Sequence, residues 1–258
     1  MEISNSLILR LTQQTKSLES SFKKLASGSR LTKAADGPAE IAVAEKLGAD
    51  IVILSQGSKN IDYGQSAIAI ADGALEQVGN IDTRLAELAT QSSNGTLSDD
   101  QRASLNQEFQ SLSQERNRIV QTTTFNDTQL LNSGTSVNIA TGSGDPIAIS
   151  FGDVNTTTGL DISTQAGAQA ALDQVKTEIT SGTQTRATLG ASDSRLSAEK
   201  NAVDTRALSL KQAQSTIRDL DVAEETAKNV ATRIQQRGTT ALLAQANQSK
   251  KSILDFLA

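Results

Sequence analysis

The sequence predicts a mainly α-helical protein: long N- and C-terminal helices paired as a coiled coil, plus an elongated helical bundle with a small β-hairpin. Three observations carry this reading. Apolar residues recur every seven positions through most of the chain, the repeat that keeps one helix face against a partner helix. Only 2 of the 258 residues are Pro, so little interrupts long helices. One stretch, about 126 to 165, is rich in Gly, Ser, Thr, Asn and Asp and breaks the periodicity.

The elements follow in order. Leu7, Leu11, Leu18, Phe22 and Leu25 take the alternating 4-3 step, with Thr15 filling one seam position. Ser27-Gly28 ends that run, because Gly just past a helix end can turn left-handed at no steric cost. Asp36-Gly37-Pro38 reads as a loop and a helix start, since Pro fits the first helical turn. Ile61, Ile68 and Leu75 recur every seven residues, as do Ala71, Val78 and Leu85. Asp99-Asp100, after Thr96-Leu97-Ser98, reads as the N-terminal cap of a helix carrying Leu105, Phe109, Leu112 and Ile119. Val137 and Ile139, a turn at Gly142-Ser143-Gly144-Asp145, and Ile147, Ile149 and Phe151 after Pro146 form a hairpin. A lone hairpin is marginal in water, so it should pack on neighbouring helices. Leu196, Val203, Leu210 and Ile217 open the C-terminal repeat, interleaved with Ala213, Leu220, Ala227, Ile234 and Ala241. A sustained seven-residue repeat imposes a left-handed supercoil.

Composition removes whole classes of chemistry. The chain has no Cys and no His. That excludes a disulfide framework, a Cys- or His-based metal site, and the commonest catalytic base. A net charge of −5 argues against nucleic acid or an anionic membrane as partner. No run approaches the ~18 apolar residues of a membrane span. Leu7-Ile8-Leu9 stops at Arg10, too short for the apolar core of a signal peptide. The usual rules then give a cytoplasmic protein, unless export reads no cleavable signal. Gly142, Gly144 and Gly152 match neither a P-loop nor a dinucleotide fingerprint. Asp219, Asp221, Glu224 and Glu225 read as helix-start charge, and Lys250 and Lys251 as cations suited to a helix C-terminus. No cofactor, metal or enzymatic activity is expected.

Several blocks stand out: Leu25-Ala26-Ser27-Gly28-Ser29-Arg30-Leu31 followed by Ala34, Asp36 and Ala39, and Glu87-Leu88-Ala89-Thr90-Gln91-Ser92-Ser93-Asn94-Gly95. Others are Glu108, Leu112, Glu115, Arg118-Ile119 and Thr124-Phe125-Asn126, then Leu189-Gly190-Ala191 with Arg195, and Leu243-Ala244-Gln245-Ala246-Asn247-Gln248. Together these blocks resemble bacterial flagellin, and they stand in family order from end to end. Gly37 and Ser194 depart from the commoner family residues. Only the hairpin region and a short loop lie where flagellins usually carry outer variable domains, so the chain resembles a minimal flagellin with inner domains only.

The resemblance implies a structural subunit that polymerises into the flagellar filament, the helical propeller for swimming. Residues 1–35 and 225–258 would form the terminal coiled-coil domain at the filament core. Residues 36–224 would form the bundle domain, with the hairpin and loop insert at about 126–165. The implied seam comprises Leu7, Leu11, Leu18, Phe22, Leu25, Leu220, Ala227, Ile234, Ala241, Leu243, Ile253 and Leu257. Such a pair should order only on assembly. The implied partners are copies of itself, the filament cap and hook-junction proteins, the flagellar type III export apparatus, a C-terminal export chaperone, and the vertebrate Toll-like receptor for flagellin. Neither nucleic acid nor membrane insertion is expected. Localisation would be the extracellular filament, reached without a cleavable signal peptide. By the same resemblance Arg84, Leu88 and Glu108 match the family's receptor-contact positions, whereas Ala86 stands where a second Arg is common and Leu112 where Arg occurs in strong agonists. The alternatives are a hook–filament junction protein and an intracellular coiled-coil scaffold.

Overall fold

The computed structural model describes residues 2–132, 134–154 and 158–257, with side chains described from 5 to 250 within those ranges. The helices are α1 (Glu2–Ser27), α2 (Pro38–Ser92), α3 (Asp99–Thr122), α4 (Gln165–Arg218) and α5 (Val222–Leu257). Two short antiparallel strand pairs lie between α3 and α4 in the chain: β1 (Thr124–Phe125) with β2 (Thr128–Gln129), and β3 (Ser136–Ile139) with β4 (Ile147–Ser150). The mainly helical class with a small hairpin is therefore the observed one. The chain forms two compact units, 1–51 with 208–258, and 52–207; α2 and α4 each contribute a part to both.

In the first unit α1 and α5 run antiparallel. Gly28, at φ +63°, turns the chain at the end of α1, the left-handed geometry that favours glycine. Beyond it the chain pairs with the α4–α5 junction: Arg30 N–H donates to the Arg218 carbonyl (2.8 Å) and Leu220 N–H to the Gly28 carbonyl (3.1 Å). Asp36 closes the next loop by accepting from the Thr32 and Lys33 amides at 3.0 and 2.9 Å, and from the Thr32 hydroxyl. The backbone and hydroxyl hydrogen bonds from Thr32 hold the Asp36 carboxyl below the usual aspartate value. Asp221 caps α5, accepting from the Ala223 and Glu224 amides, the arrangement that satisfies donors at a helix start.

In the second unit α2, α3 and α4 share one core. Leu85, Leu88 and Ala89 of α2 meet Phe109 of α3 and Ala168, Ala171 and Val175 of α4, with Ile162 closing the end. The heptad residues Ile61, Ile68, Leu75, Ala71 and Val78 are buried, as are Leu196 and Val203 on α4. Each fully buried Leu, Ile or Val contributes about 1.5–3 kcal/mol. The cap of α3 is Ser98, which accepts from Gln101 N–H while the Gln101 side chain accepts from Ser98 N–H. Asp99 and Asp100 sit in the first turn. This corrects the cap position by one residue: a hydroxyl three residues before Gln forms a reciprocal box. At the α2–α3 corner the buried Arg102 guanidinium donates to the carbonyls of Ser92, Asn94 (3.0 Å) and Leu97 (3.2 Å).

The β3–β4 register pairs Val137 with Ile149 and Ile139 with Ile147. Ile139, Ile147 and Ile149 are buried, so the hairpin's apolar face is covered. It docks on α2 where that helix lacks side chains. Gly57 faces the Thr141 carbonyl and Gly64 faces Ile139 and Ile149, and Asn60 Nδ2 donates to the Ala140 carbonyl at 2.9 Å. The β1–β2 pair has no counterpart in the sequence reading. Its two-residue turn is Asn126-Asp127, at φ +48° and +62°, left-handed values that Asn and Asp tolerate.

One ionic cluster is inside the second unit. Arg116 of α3 pairs with Asp82 of α2 at 2.5 Å and with Glu178 of α4 at 3.3 Å, and all three side chains are almost fully buried.

Candidate assembly surface

The seam between α1 and α5 is built from two heptad stripes. On α1 the covered positions are Leu7, Leu11, Gln14, Leu18, Ser21 and Leu25. On α5 they are Glu225, Asn229, Thr232, Gln236, Thr239, Leu243 and Ala246. Both take the 4-3-4-3 step, so both face one partner. The chemistry is lopsided, with α1 offering mostly leucine and α5 mostly polar groups. The Ser21 hydroxyl donates to Glu225 Oε1, and Gln236 Nε2 donates to the Thr15 hydroxyl at 3.1 Å. Gln14 Oε1 and Asn229 Nδ2 are buried with no hydrogen-bond partner among the described residues. Each such orphan costs about 1–3 kcal/mol.

The expected seam residues therefore divide. Leu7, Leu11, Leu18, Leu25 and Leu243 lie on the α1–α5 contact, and Leu220 is half-buried where α4 gives way to α5. Phe22 is exposed, with the Arg233 guanidinium 5.0 Å over its ring. Ala227, Ile234 and Ala241 face away from α1, and Ile234 is 65% exposed. The side chains of Ile253 and Leu257 lie outside the described residues. The apolar repeat of α5 is thus not the stripe that packs on α1. The polar repeat two residues behind it takes that place, and α5 turns its hydrophobic stripe outward.

Further apolar side chains are exposed beside it: Val230 and Leu242 on α5 along with Ile234, and Ile8, Leu9 and Phe22 on α1. Exposed apolar side chains gathered along two paired helices mark a contact with another chain. Sequence reading missed Gln14, Ser21, Asn229 and Gln236 because a search for hydrophobic periodicity passes over polar ones. The signal was present: Glu225, Thr232, Thr239 and Ala246 recur every seven, as do Asn229, Gln236 and Leu243.

The second unit carries its own apolar groove, about 670 Å³, lined by Tyr63, Phe125, Val137, Ile149 and Phe151 among others. With 5 Phe and 1 Tyr in the chain, half of all aromatic side chains converge there. Of the other expected contact residues, Arg84 and Glu108 meet on the surface at 2.8 Å, with Glu87 2.9 Å from the same guanidinium. The Glu108 hydrogen bond, then that of Glu87, raise the already basic Arg84 further, so it stays charged. Leu88 does not join them at the surface: it is fully buried in the α2–α3–α4 core.

Among the described residues no cluster of acidic side chains could hold a metal ion, and no helix is long and apolar enough to cross a membrane.

Comparison with known proteins agrees. The bacterial flagellin N-terminal helical region matches residues 2–136, and the bacterial flagellin C-terminal helical region matches residues 172–257. A flagellin of Halalkalibacterium halodurans is 36% identical, over 96% of this chain and 93% of that protein. The 30.7 kDa flagellar filament core protein of Treponema maltophilum is 30% identical, over 93% of this chain and 92% of that protein. The crystal structure of Bacillus cereus flagellin matches with TM-score 0.51 at 28% identity, covering 56% of this chain and 88% of that one. A putative flagellar hook-associated protein from Vibrio parahaemolyticus shares the fold at TM-score 0.58, but only 12% identity. With both family regions and near full-length relatives in agreement, the chain belongs to the flagellins, the structural subunits of the bacterial flagellar filament.

Proposed function

We propose that the filament is built through the outward stripe of α1 and α5, with Val230, Ile234 and Leu242 packing on neighbouring copies. The observation that carries this is the inversion on α5, where the polar repeat faces α1 and the apolar repeat faces away. A helix that covers its polar side and exposes its apolar side is at odds with water unless another chain covers it. Identical contacts that do not close on themselves extend into an open helical polymer. In this reading residues 1–35 and 225–258 form the filament core layer and 36–224 the layer outside it.

The test is assembly of Ile234→Asp, followed by electron microscopy after seeding with short wild-type filaments. A charge at the centre of a desolvated stripe blocks elongation while the 52–207 unit keeps its helical signal. Normal filaments from Ile234→Asp would refute the assignment.

The same reading has the subunit exported unfolded by the flagellar type III apparatus, without a cleavable signal, to the extracellular filament. A chain with no Cys has no disulfide to hinder unfolded passage. An export chaperone would cover the outward stripe of α5 before secretion, a helix-in-groove contact, and filament cap and hook-junction proteins would meet the ends of the polymer. For the Toll-like receptor, the exposed Arg84–Glu108 pair supplies the contact, with Leu88 supporting it from beneath.

A further inference from the structure

The cluster at the centre of the second unit is unbalanced. Two carboxylates, Asp82 and Glu178, converge on one guanidinium, Arg116. Each group comes from a different helix, and none is more than 5% exposed. Fully ionised, the trio sums to one negative charge, held where its side chains are all but closed to solvent.

We propose that Asp82, Arg116 and Glu178 form a proton-loading latch: as pH falls the cluster takes up one proton, becomes neutral, and holds α2, α3 and α4 together more firmly. The step is a plain protonation, with a proton from solvent adding to a carboxylate oxygen and no other bond changing.

The geometry supports it on every side. From α2 the group is Asp82; from α3 it is Arg116, with the buried Ser113 one turn away; from α4 it is Glu178, whose Oε1 accepts from Gln174 Nε2 at 3.2 Å. Neighbouring charges on these helices are engaged at the surface, where water screens them: Glu115 pairs with Arg118, Asp173 lies 4.0 Å from Lys176, and Asp72 and Glu76 meet Arg186. Burial pushes the Asp82 carboxyl above the ordinary aspartate value; the charge and hydrogen bond of Arg116 pull it back, and the charge of Glu178 pushes it up again.

The sign follows from linkage. A carboxyl whose folded value is raised binds its proton more tightly in the folded chain than in the unfolded one. Its contribution is complete below the unfolded value of 3.8 and is lost as pH rises through the folded value. Acidification of the bundle therefore first stabilises it, opposite to ordinary acid unfolding.

The experiment uses the full chain as free subunit, so it does not depend on filament formation. Thermal unfolding of the bundle is followed from about pH 7 to about pH 5, within the range where most proteins are near their most stable. The wild-type midpoint rises, by about 3–5 °C for each tenfold difference in proton affinity between folded and unfolded Asp82. Glu178→Gln removes the excess charge and flattens the rise, whereas the surface variant Glu115→Gln keeps it. Carbon-13 NMR of the wild-type aspartate carboxyls reads the same event without a variant, through a resonance missing in Asp82→Asn that titrates above the ordinary aspartate range. A flat wild-type profile, an undiminished rise in Glu178→Gln, or an Asp82 resonance titrating at or below the ordinary value would each overturn the proposal.

Discussion

Alanine substitution of glycines along α2 should change sign with position. At Gly57 an added Cβ would sit 1.8 Å from the Thr141 carbonyl oxygen and 2.3 Å from its carbon. Both are backbone atoms of the hairpin turn, so no side chain can swing aside, and the turn must retreat by roughly 1.5 Å to reach ordinary contact. Retreat strains the Asn60–Ala140 hydrogen bond and the contact between the Ser143 hydroxyl and Glu199. Overpacking costs about 1–3 kcal/mol and a weakened hydrogen bond about 1. Replacing Gly by Ala inside a helix returns about 1 kcal/mol. The net is a loss of about 1–3 kcal/mol, or roughly 2–10 °C in melting temperature for a unit of this size. At Gly73 and Gly79 of the same helix a Cβ meets nothing within 4 Å. There the helix term acts alone, and each substitution should stabilise by about 0.5–1 kcal/mol. Urea unfolding of the three variants in parallel decides the matter. If Gly57→Ala is as stabilising as Gly73→Ala, the hairpin does not dock on α2 as described.

Two further outcomes follow from the first unit. Asn229→Leu removes an orphaned amide from the α1–α5 seam and should raise the helical circular-dichroism signal of the free chain, while loosening the register that buried polar groups fix; an unchanged signal would show that the seam is not formed there. The Asp36 carboxyl, held low by its hydrogen bonds from Thr32 and Lys33, contributes stability above its unfolded value of 3.8 that is lost as pH falls through the lower folded value. Hydrogen exchange at the Thr32 and Lys33 amides should therefore accelerate in that acid range, and in Asp36→Asn at every pH.

The helical class and the hairpin could be read from the sequence because burial there follows a simple period. Ile61, Ile68, Leu75, Val137 and Ile149 are covered where their spacing puts them. The α1–α5 seam was half legible. On α1 the leucines recur at the contact, but on α5 two interleaved repeats compete, and only the folded chain decides which faces inward. Periodicity measures how residues are spaced, and it does not say which of two faces meets a given neighbour. Leu88 was hidden for a related reason: it belongs to a surface motif in sequence and to the core in space. The Asp82–Arg116–Glu178 cluster was invisible because its members are 34 and 62 residues apart in sequence, and nothing local to a charged residue announces that it will be buried.

The corner at Arg102 has a consequence for how the chain can fold. The carbonyl of Ser92, the last residue of α2, and those of Asn94 and Leu97 in the loop after it are satisfied by one side chain from the first turn of α3, five to ten residues downstream. Closing so short a loop costs little chain entropy. The end of a 55-residue helix is thus finished by a purely local event, and contacts of short sequence separation form fastest. The corner can set the direction of the returning helix before any distant part of the chain has arrived.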